Sequence, residues 1–506
     1  MLPVILVVSA LLLPSLVYPF GRDQAVFAYV GSVTARGGLP YQDAWDLKPP
    51  GIYLAYAALA SLTPDHGWGL MYLLRATDLA VALGIGILLA AIARRSGHPE
   101  AAIAAAGWYA CLYLQGGYWG LAQAETWANL WVLLAIWLSM VNKERLTGRR
   151  MAAVGIAGGV AALLKFTAIA PLLPILLRSI YRQAPRERFR GMAGATVGLA
   201  LPLCCAAAWM TAAGILASYA DIQRGFVVPY TQINASSPLQ HFEHVARYTG
   251  LWLASLWLPA FFAVYAAVGR GKGCPFPRGL LAMLAGGLLA VWVQDKYFGY
   301  HWQTVLPAFA LLAGIGCVSF CRSVRLSAGR IQIACLLLIA LWTAGTQGTY
   351  FRDATRMALG AVSYPHWLQR FGRPAAGDNS FLADTWAADY VRSHTDPGDG
   401  VLVWGFEPAV YLLSNRRPPT RFFFNVPVTS PFVPEAWRRE FLRDVQAHPP
   451  ALWLTVRNDS VPWASGRSDD SQAQLNDWPE LRRWVVQNYR LERQIEDFSV
   501  YRHAGH

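Results

Sequence analysis

The sequence has few charged residues for its size. Asp, Glu, Lys and Arg make up only 14% of its 506 residues, whereas 55% are apolar. A soluble domain usually carries about 25% charged residues, so composition excludes an ordinary soluble protein. Long apolar runs fill the first two thirds of the chain, and a soluble balance begins near Gly348. We therefore predict a membrane module over residues 1–348 and a soluble domain over residues 349–506.

Cysteine is also scarce and unevenly placed. All seven cysteines lie in the apolar region and none in the C-terminal tail, so no disulfide framework or Cys-rich metal site is indicated. Cys317 and Cys321 are spaced i, i+4 on a predicted helix, where small buried residues that pack a core are expected. The chain also lacks a dinucleotide-binding glycine fingerprint, a Walker sequence, a zincin helix and a repeat of 20–50 residues.

Apolar windows of about 20 residues each predict membrane-spanning helices. The first, residues 1–20, lacks a basic start and a small-residue cleavage site, which favours a retained span over a signal peptide. The predicted windows are 2–20, 69–93, 101–119, 125–141, 151–166, 167–181, 192–213, 248–268, 279–294, 302–320 and 331–348.

The net charge is +13, but the basic residues cluster in alternate loops between the spans. This distribution orients the spans in a bilayer and does not indicate nucleic-acid binding. With about eleven spans, all the clusters fall on one side, which the positive-inside rule makes cytoplasmic. The clusters are Arg94/Arg95, Lys143/Arg145/Arg149/Arg150, Arg178 to Arg190, Arg270/Lys272/Arg278 and Arg322/Arg325/Arg330. The tail and the loops 21–68, 120–124, 214–247 and 295–301 are then extracytoplasmic.

The tail alternates helix-like and strand-like segments, which predicts a small α/β domain with a largely parallel sheet. The predicted strands are 401–404, 421–424, 451–456 and 498–501, and the predicted helices are 384–394, 407–414, 434–447 and 478–489.

The first outer loop, residues 21–68, holds the densest set of polar groups. Asp23 follows the first span directly, and Val26, Val30 and Val33 then recur at helical spacing, which predicts an interfacial helix. Pro49-Pro50-Gly51 predicts a turn before an apolar segment, 52–62, that is too short to span. The alternative is a loop that merely caps the helix bundle.

Three features of this loop carry a resemblance: Asp23 after span one, Gly-x-Pro-Tyr-x-Asp ending at Asp43, and Asp-x-Lys-Pro-Pro-Gly starting at Asp46. Together they resemble bacterial GT-C glycosyltransferases, closest to the dolichyl-phosphate-mannose protein mannosyltransferase and aminoarabinose transferase superfamily. The resemblance implies a mainly α polytopic fold with about eleven spans, interfacial helices in the first loop and an outer α/β domain. It also implies sugar transfer from a polyprenyl-phosphate carrier outside the cytoplasmic (inner) membrane.

The resemblance assigns roles to the first loop. Asp23 matches the acidic residue implicated as the base that activates the acceptor, and Lys48 matches a lysine near the carrier phosphate, where an ammonium stabilises developing charge. Tyr41, Asp43 and Asp46 are then expected at the substrate. The family often has Asp-Glu and an acidic residue before the lysine, whereas this chain has Gln24 and Leu47.

Glu125 matches a second acidic residue of the family, in a later outer loop. With Asp23 it could supply two oxygen ligands to a divalent cation, Mg²⁺ or Mn²⁺. The alternative is that Glu125 caps the positive N-terminus of the next helix.

Further candidates bind the substrate. The segment containing Lys296, Tyr300 and His301 resembles the family's aromatic-rich Tyr-His stretch, and Lys296 could meet phosphate, whereas a lone interfacial His is more often structural. Lys165 lies some fourteen residues into a span, where it binds a carrier phosphate or extends to the interface.

The expected activity is inverting transfer of mannose or a related sugar to a glycan, lipid or protein acceptor. One alternative is a transporter or flippase of a lipid-linked or small solute, although no internal repeat is visible. A second is a non-catalytic scaffold with the GT-C fold, which Gln24 favours.

Overall fold

The computed structural model describes residues 1–140, 147–181, 183–233, 237–268, 278–372 and 380–505. The basic residues Lys143, Arg145, Arg182, Arg270 and Lys272 of the predicted inner loops, together with Cys274, lie outside this range.

The chain forms two compact units, each assembled from separate stretches of sequence. Unit 1 comprises residues 1–18, 75–208 and 236–355, and unit 2 comprises residues 19–74, 209–235 and 356–506. The predicted boundary near Gly348 falls inside one long helix, Ala328–Ala358. The first loop, residues 21–68, is thus grouped with the C-terminal segment rather than with the apolar helices.

Unit 1 is helical throughout its described part. Its helices, three of which continue into unit 2, are Leu2–Leu12, Leu13–Val17, Trp68–Arg95, Ala101–Gln115, Gly117–Gly120, Ala124–Ser139, Gly148–Leu164, Phe166–Ile169, Leu173–Tyr181, Pro185–Ala212, Pro238–Ser255, Trp257–Val268, Arg278–Trp292, Gly299–Thr304, Leu306–Ser323 and Ala328–Ala358. Close approach between them depends on small residues: a Cβ on Gly316 would lie 1.8 Å from the carbonyl oxygen of Phe262.

Four of the described helices are long and apolar enough to cross a membrane, namely Trp68–Arg95, Glu187–Ala212, Leu306–Ser323 and Ala328–Ala358. The number rises to six if each of two bent helix pairs counts as one span. The predicted window 248–268 falls on one of these pairs. The chain bends there by 105° between helices Pro238–Ser255 and Trp257–Val268. Proline at 259, in the first turn of the second helix, is compatible with a helix start there.

Unit 2 contains the first-loop helices and the C-terminal segment. Its helices are Arg22–Ala35, Pro50–Ala60, Leu216–Ile222, Gln223–Val227, Val228–Gln232, Tyr364–Leu368, Gln369–Phe371, Phe381–His394, Ala409–Ser414, Val426–Thr429, Glu435–Ala447, Pro462–Ser465, Ser471–Asn476 and Pro479–Asn488. The two first-loop helices pack closely, because a Cβ on Gly31 would lie 2.8 Å from the Cβ of Tyr56.

A four-stranded sheet forms within unit 2 from β1 (Val401–Trp404), β2 (Leu452–Val456), β3 (Tyr489–Ile495) and β4 (Phe498–His503), in the order β1-β2-β4-β3. Only β1 and β2 are parallel, whereas β4 runs antiparallel to both of its neighbours. The prediction of a largely parallel sheet is therefore wrong. The predicted strand 421–424 is also wrong: the Arg421 carbonyl accepts a hydrogen bond from the first-loop residue Trp45 instead of pairing in the sheet.

Candidate active site

Asp23 lies in the first turn of helix Arg22–Ala35 and is half-buried. Among the residues that the structure describes, none forms a hydrogen bond or ion pair with its carboxylate. A carboxylate in this position is a candidate to accept a proton from a substrate.

Gln24, where the family often has an acid, has a structural role in this chain. Its side-chain oxygen accepts a hydrogen bond from the backbone N–H of Gly21 at 2.6 Å, which caps the helix that carries Asp23. A neutral amide can make this hydrogen bond as well as a carboxylate can.

Asp46 is buried beside Lys48. Its Oδ2 accepts a hydrogen bond of 2.5 Å from the hydroxyl of Tyr53, and that hydroxyl in turn accepts one from the Lys48 backbone N–H at 3.0 Å. The Lys48 ammonium lies 5.8 Å from the centre of the Phe27 ring, a cation–π distance. The acid two positions before the lysine thus fixes the backbone around Lys48.

Burial raises the pKa of Asp46 to about 6, because the hydrogen bond from Tyr53 and the positive charge of Lys48 only partly offset desolvation. The negative charge of Asp23 also contributes to the increase. The charges of Asp23, Asp46 and Lys48 therefore influence one another within unit 2.

Tyr41 and Asp43 hold the turn between the two first-loop helices. The Tyr41 hydroxyl donates to the carbonyl oxygen of Lys48 at 3.0 Å, and Asp43 Oδ2 accepts from the Leu39 backbone N–H at 2.7 Å. Tyr41 has a left-handed backbone, with φ 70°, and burial raises the pKa of its hydroxyl well above the ordinary value. These contacts make both side chains positioning groups for the loop.

Arg22, the residue before Asp23, forms a buried ion pair that the sequence did not indicate. Its guanidinium donates to Glu407 Oε1 at 2.8 Å and to the Phe406 carbonyl oxygen at 3.0 Å. In the sequence, Glu407-Pro408 follows a strand, and this pattern does not indicate that Glu407 pairs with Arg22. The pair ties the start of the Asp23 helix to the C-terminal segment.

Glu125 and Lys165 form the corresponding ion pair in unit 1. The Lys165 ammonium lies 2.8 Å from Glu125 Oε1, and the Glu125 side chain is fully buried. Lys165 has an extended backbone, with φ −157°, where helix Gly148–Leu164 ends, and Glu125 lies in the first turn of helix Ala124–Ser139. The sequence indicates each residue as a separate candidate but does not predict their pairing.

The divalent cation implied by the family resemblance would have to compete with Lys165 for the Glu125 carboxylate. An ammonium already neutralises the carboxylate, and a metal ligand has to offer its charge and lone pairs to the ion. Glu125 lies in the first turn of its helix, where the positive helix N-terminus favours a negative charge. The predicted pairing of Glu125 with Asp23 joins residues of different units and stays a prediction.

Lys296, Tyr300 and His301 lie in one loop of unit 1, between Arg278–Trp292 and Leu306–Ser323. His301 is buried, and its ring lies 4.8 Å from the ring of Tyr300. Partial burial lowers the pKa of Lys296. The loop is strained, because Asp295 and Tyr297 have left-handed backbones, with φ 47° and 48°.

One face of helix Pro238–Ser255 holds this strained loop. The Nδ1 atoms of His241 and His244 lie 3.4 and 3.5 Å from Asp295 Oδ1. Farther along, Tyr248 stacks on Tyr297 with ring centres 4.6 Å apart, and Trp252 stacks on Trp302 at 4.7 Å. The spacing 241, 244, 248, 252 follows a single helical face, which is the signal by which the sequence could have revealed these residues.

No protein-family model matches this sequence, and no curated protein matches it either. Solved structures do match. The crystal structure of ArnT from Cupriavidus metallidurans bound to undecaprenyl phosphate has a TM-score of 0.57 and 13% identity, covering 98% of this chain and 97% of that one. The same protein in the apo state gives a TM-score of 0.56 with the same coverage. The chain has the fold of the GT-C glycosyltransferases.

A more distant match is the oligosaccharyltransferase of Archaeoglobus fulgidus in complex with Zn and sulfate, with a TM-score of 0.46 and 14% identity over 93% of this chain and 70% of that one. The GT-C fold expected from the first-loop motifs is thus confirmed by the ArnT structures. With its apolar helices, this fold makes the chain a multi-pass membrane protein.

Proposed function

We propose that this protein is an integral-membrane glycosyltransferase that moves a sugar from a polyprenyl-phosphate carrier to an acceptor. The observation that carries the proposal is the half-buried Asp23, whose carboxylate has no hydrogen-bond or ion-pair partner among the described residues. Asp23 is also the residue that the motif resemblance matches to the base. The match to ArnT bound to undecaprenyl phosphate supports a lipid-phosphate donor.

In the proposed reaction, Asp23 takes the proton from an acceptor hydroxyl or amine. The acceptor atom forms a bond to the anomeric carbon of the sugar, and the bond between that carbon and the phosphate oxygen breaks. The phosphate departs with the electron pair, and the Lys48 ammonium stabilises the charge that develops on it. Attack opposite the leaving group inverts the anomeric configuration.

The Lys48 side of the reaction is supported by the contacts around it. Tyr41 and Tyr53 hold the Lys48 backbone from its carbonyl and its N–H, so the ammonium extends from a fixed backbone. Pre-organised charge is more effective than mobile charge at a developing oxyanion.

We propose Lys296 and Lys165 as further phosphate contacts, although Lys165 has to exchange the Glu125 carboxylate for phosphate.

We further propose about eleven spans in the cytoplasmic membrane, with the first loop and residues 349–506 on the extracytoplasmic side. The asymmetry of Lys and Arg between loops supports this orientation. Nucleotide sugars are absent from that side, which agrees with a lipid-linked donor. The sugar is proposed to be mannose or a related sugar.

The test is the variant Asp23→Asn, assayed in proteoliposomes with a radiolabelled polyprenyl-phosphate sugar and an acceptor extract. We expect transfer to fall by about 10²–10⁴-fold, the usual contribution of a general base. The thermal midpoint in detergent should remain that of the wild type, because Asp23 makes no hydrogen bond or ion pair within the described residues.

The matched control is Asp389→Asn, which removes an exposed carboxylate of helix Phe381–His394 and should leave transfer unchanged. Full transfer by Asp23→Asn contradicts the proposed base. Movement of the intact donor across the membrane without cleavage of the sugar–phosphate bond contradicts the proposed transferase and favours a flippase.

A further inference from the structure

Three cysteines of unit 1 form a cluster in a helical hairpin. Cys317 and Cys321 lie one turn apart on helix Leu306–Ser323, and Cys335 lies on the following helix, Ala328–Ala358. Their three Sγ atoms all lie within 4.8 Å of one another, and those of Cys317 and Cys335 are 3.3 Å apart. The sequence alone suggested only core packing for the first two, because it could not indicate that the third lies beside them.

We propose that this cluster binds one soft metal ion, Cu(I), through three thiolates. Ligands about 2.3 Å from a common ion are separated by roughly 4 Å when three of them surround it, so the observed spacing needs only small side-chain movements. Thiolates favour soft ions such as Cu(I) and Zn²⁺ over hard ions such as Mg²⁺.

The number of ligands favours Cu(I) over Zn²⁺. Structural Zn²⁺ sites almost always have four ligands. Among the described residues, no fourth His, Cys, Asp or Glu belongs to the group, and the three cysteines are at most 3% exposed. Cu(I) accepts three sulfur ligands in a plane, which a buried site of this composition can provide.

The hairpin turn fixes the two helices relative to each other. The Leu326 N–H donates to the Cys321 carbonyl and the Arg325 N–H to the Arg322 carbonyl, and Arg325 has φ 61°. These two hydrogen bonds and the left-handed residue form a Schellman motif. The sulfur atoms are therefore held near the metal-binding geometry before an ion enters.

The location of the cluster also suits thiol chemistry. The turn and the helix ends beside it carry Arg322, Arg325 and Arg330, the basic group that predicts the cytoplasmic side, where thiols remain reduced. Arg322 and Ser323 are exposed directly after Cys321, so an ion can reach the cluster from the loop. A disulfide between Cys317 and Cys335 requires a sulfur distance of about 2.05 Å, well below the 3.3 Å observed.

The proposal is tested by Cu(I) competition on the purified full-length protein, reduced and kept without oxygen in detergent, with bicinchoninate as the coloured competitor. The wild type should withhold one equivalent of Cu(I). Cys335→Ser should weaken binding by more than about 100-fold, because losing a ligand costs more than the roughly 10–100-fold typical of losing an outer-shell partner. Cys111→Ser, a buried cysteine outside the cluster, should bind as the wild type does.

Separate measurements check that each variant is folded. Cu(I) should raise the thermal midpoint of the wild type but not that of Cys335→Ser. If Cys335→Ser does not elute as a folded protein, Cys321→Ala takes its place, with the same loss expected. X-ray absorption should show three sulfur atoms at about 2.3 Å from copper.

Three results overturn the proposal: bicinchoninate removes all Cu(I) from the wild type, Cys335→Ser and Cys321→Ala both bind as tightly as the wild type, or thiol trapping shows a Cys317–Cys335 disulfide in freshly isolated protein. None of them depends on whether the protein transfers a sugar.

Discussion

Each of the two units contains an ion pair with a buried carboxylate, and the two pairs are built differently. In unit 2, the Arg22 guanidinium donates to both Glu407 and a backbone carbonyl and joins positions 385 residues apart. In unit 1, the Lys165 ammonium meets Glu125 at the end of a helix and is slightly more exposed. Both distances are 2.8 Å.

The difference indicates what each pair can do. A planar guanidinium with two fixed acceptors is suited to holding structure, because moving it breaks both hydrogen bonds together. An ammonium is a compact charge on a flexible stem, and it can exchange one oxygen partner for another. We therefore infer that Arg22 fixes the Asp23 helix, whereas Lys165 is able to exchange Glu125 for a phosphate.

The largest expected effect comes from Arg22→Met. Removing the guanidinium leaves Glu407 buried without its cation, which should destabilise the protein by about 4–5 kcal/mol. The apparent thermal midpoint in detergent and limited proteolysis of residues 356–506 measure this loss. The double variant Arg22→Met/Glu407→Leu should recover much of it, and a single variant as stable as the wild type would contradict the structural role.

Lys165→Met should have a smaller effect on stability, about 3 kcal/mol, because its ammonium is partly exposed. Lys165→Met/Glu125→Gln is the matched control and should restore most of the midpoint, since a neutral pair needs no compensating charge. A higher KM for the lipid donor in Lys165→Met, with an unchanged thermal midpoint, would show that phosphate and not Glu125 is its main partner.

Asp46 offers a third arrangement, a buried carboxylate that accepts a hydrogen bond from a hydroxyl. Its folded-state pKa of about 6 lies above the ordinary 3.8, so the stabilising proton is bound at low pH and lost as the pH rises through 6. Between pH 5 and pH 7 the wild type should lose about 1.3 kcal/mol through this group. Asp46→Asn lacks this proton equilibrium.

The measurement is the thermal midpoint of Asp46→Asn minus that of the wild type at both pH values. We expect this difference to become more positive from pH 5 to pH 7. A difference independent of pH would mean that Asp46 does not titrate in this window.

Gln24 gives the smallest expected change. Gln24→Ala removes the acceptor for the Gly21 N–H and should cost about 1 kcal/mol. Gln24→Glu restores the family's usual acid and keeps the acceptor, so its thermal midpoint should be close to that of the wild type. Equal midpoints for Gln24→Ala and Gln24→Glu would show that the cap does not contribute.

The long helices and the first-loop helices could be predicted from the sequence because apolar periodicity is a local property. The predicted starts 69 and 101, for example, lie within one residue of Trp68–Arg95 and Ala101–Gln115. Errors occurred where local pattern and tertiary pairing disagree. Residues 421–424 have a strand-like sequence, but their backbone contacts the first loop. Strand β3 was missed, because its outward-facing charges hide an edge strand.

In the candidate site, too, local features could be predicted from the sequence and tertiary contacts could not. Asp23, Lys48 and Asp46 were found through short motifs, since a turn and a helix start depend on neighbouring residues. The partners of Arg22 and Asp46 were not, because Glu407 and Tyr53 reach these two residues only after distant or turning segments pack together. The raised pKa of Asp46 results from its burial, and this burial cannot be read from the spacing of residues in the sequence.

The sequence by itself indicated a helical membrane protein with a polar first loop whose motifs resemble those of GT-C glycosyltransferases. Apolar length and loop charge are set by the chain alone and need no knowledge of its packing. The tertiary structure alone decided which charges pair, that the first loop packs with the C-terminal segment in one unit, and that Cys335 joins Cys317 and Cys321. Such contacts depend on side chains that approach across long stretches of sequence, where local patterns carry no information.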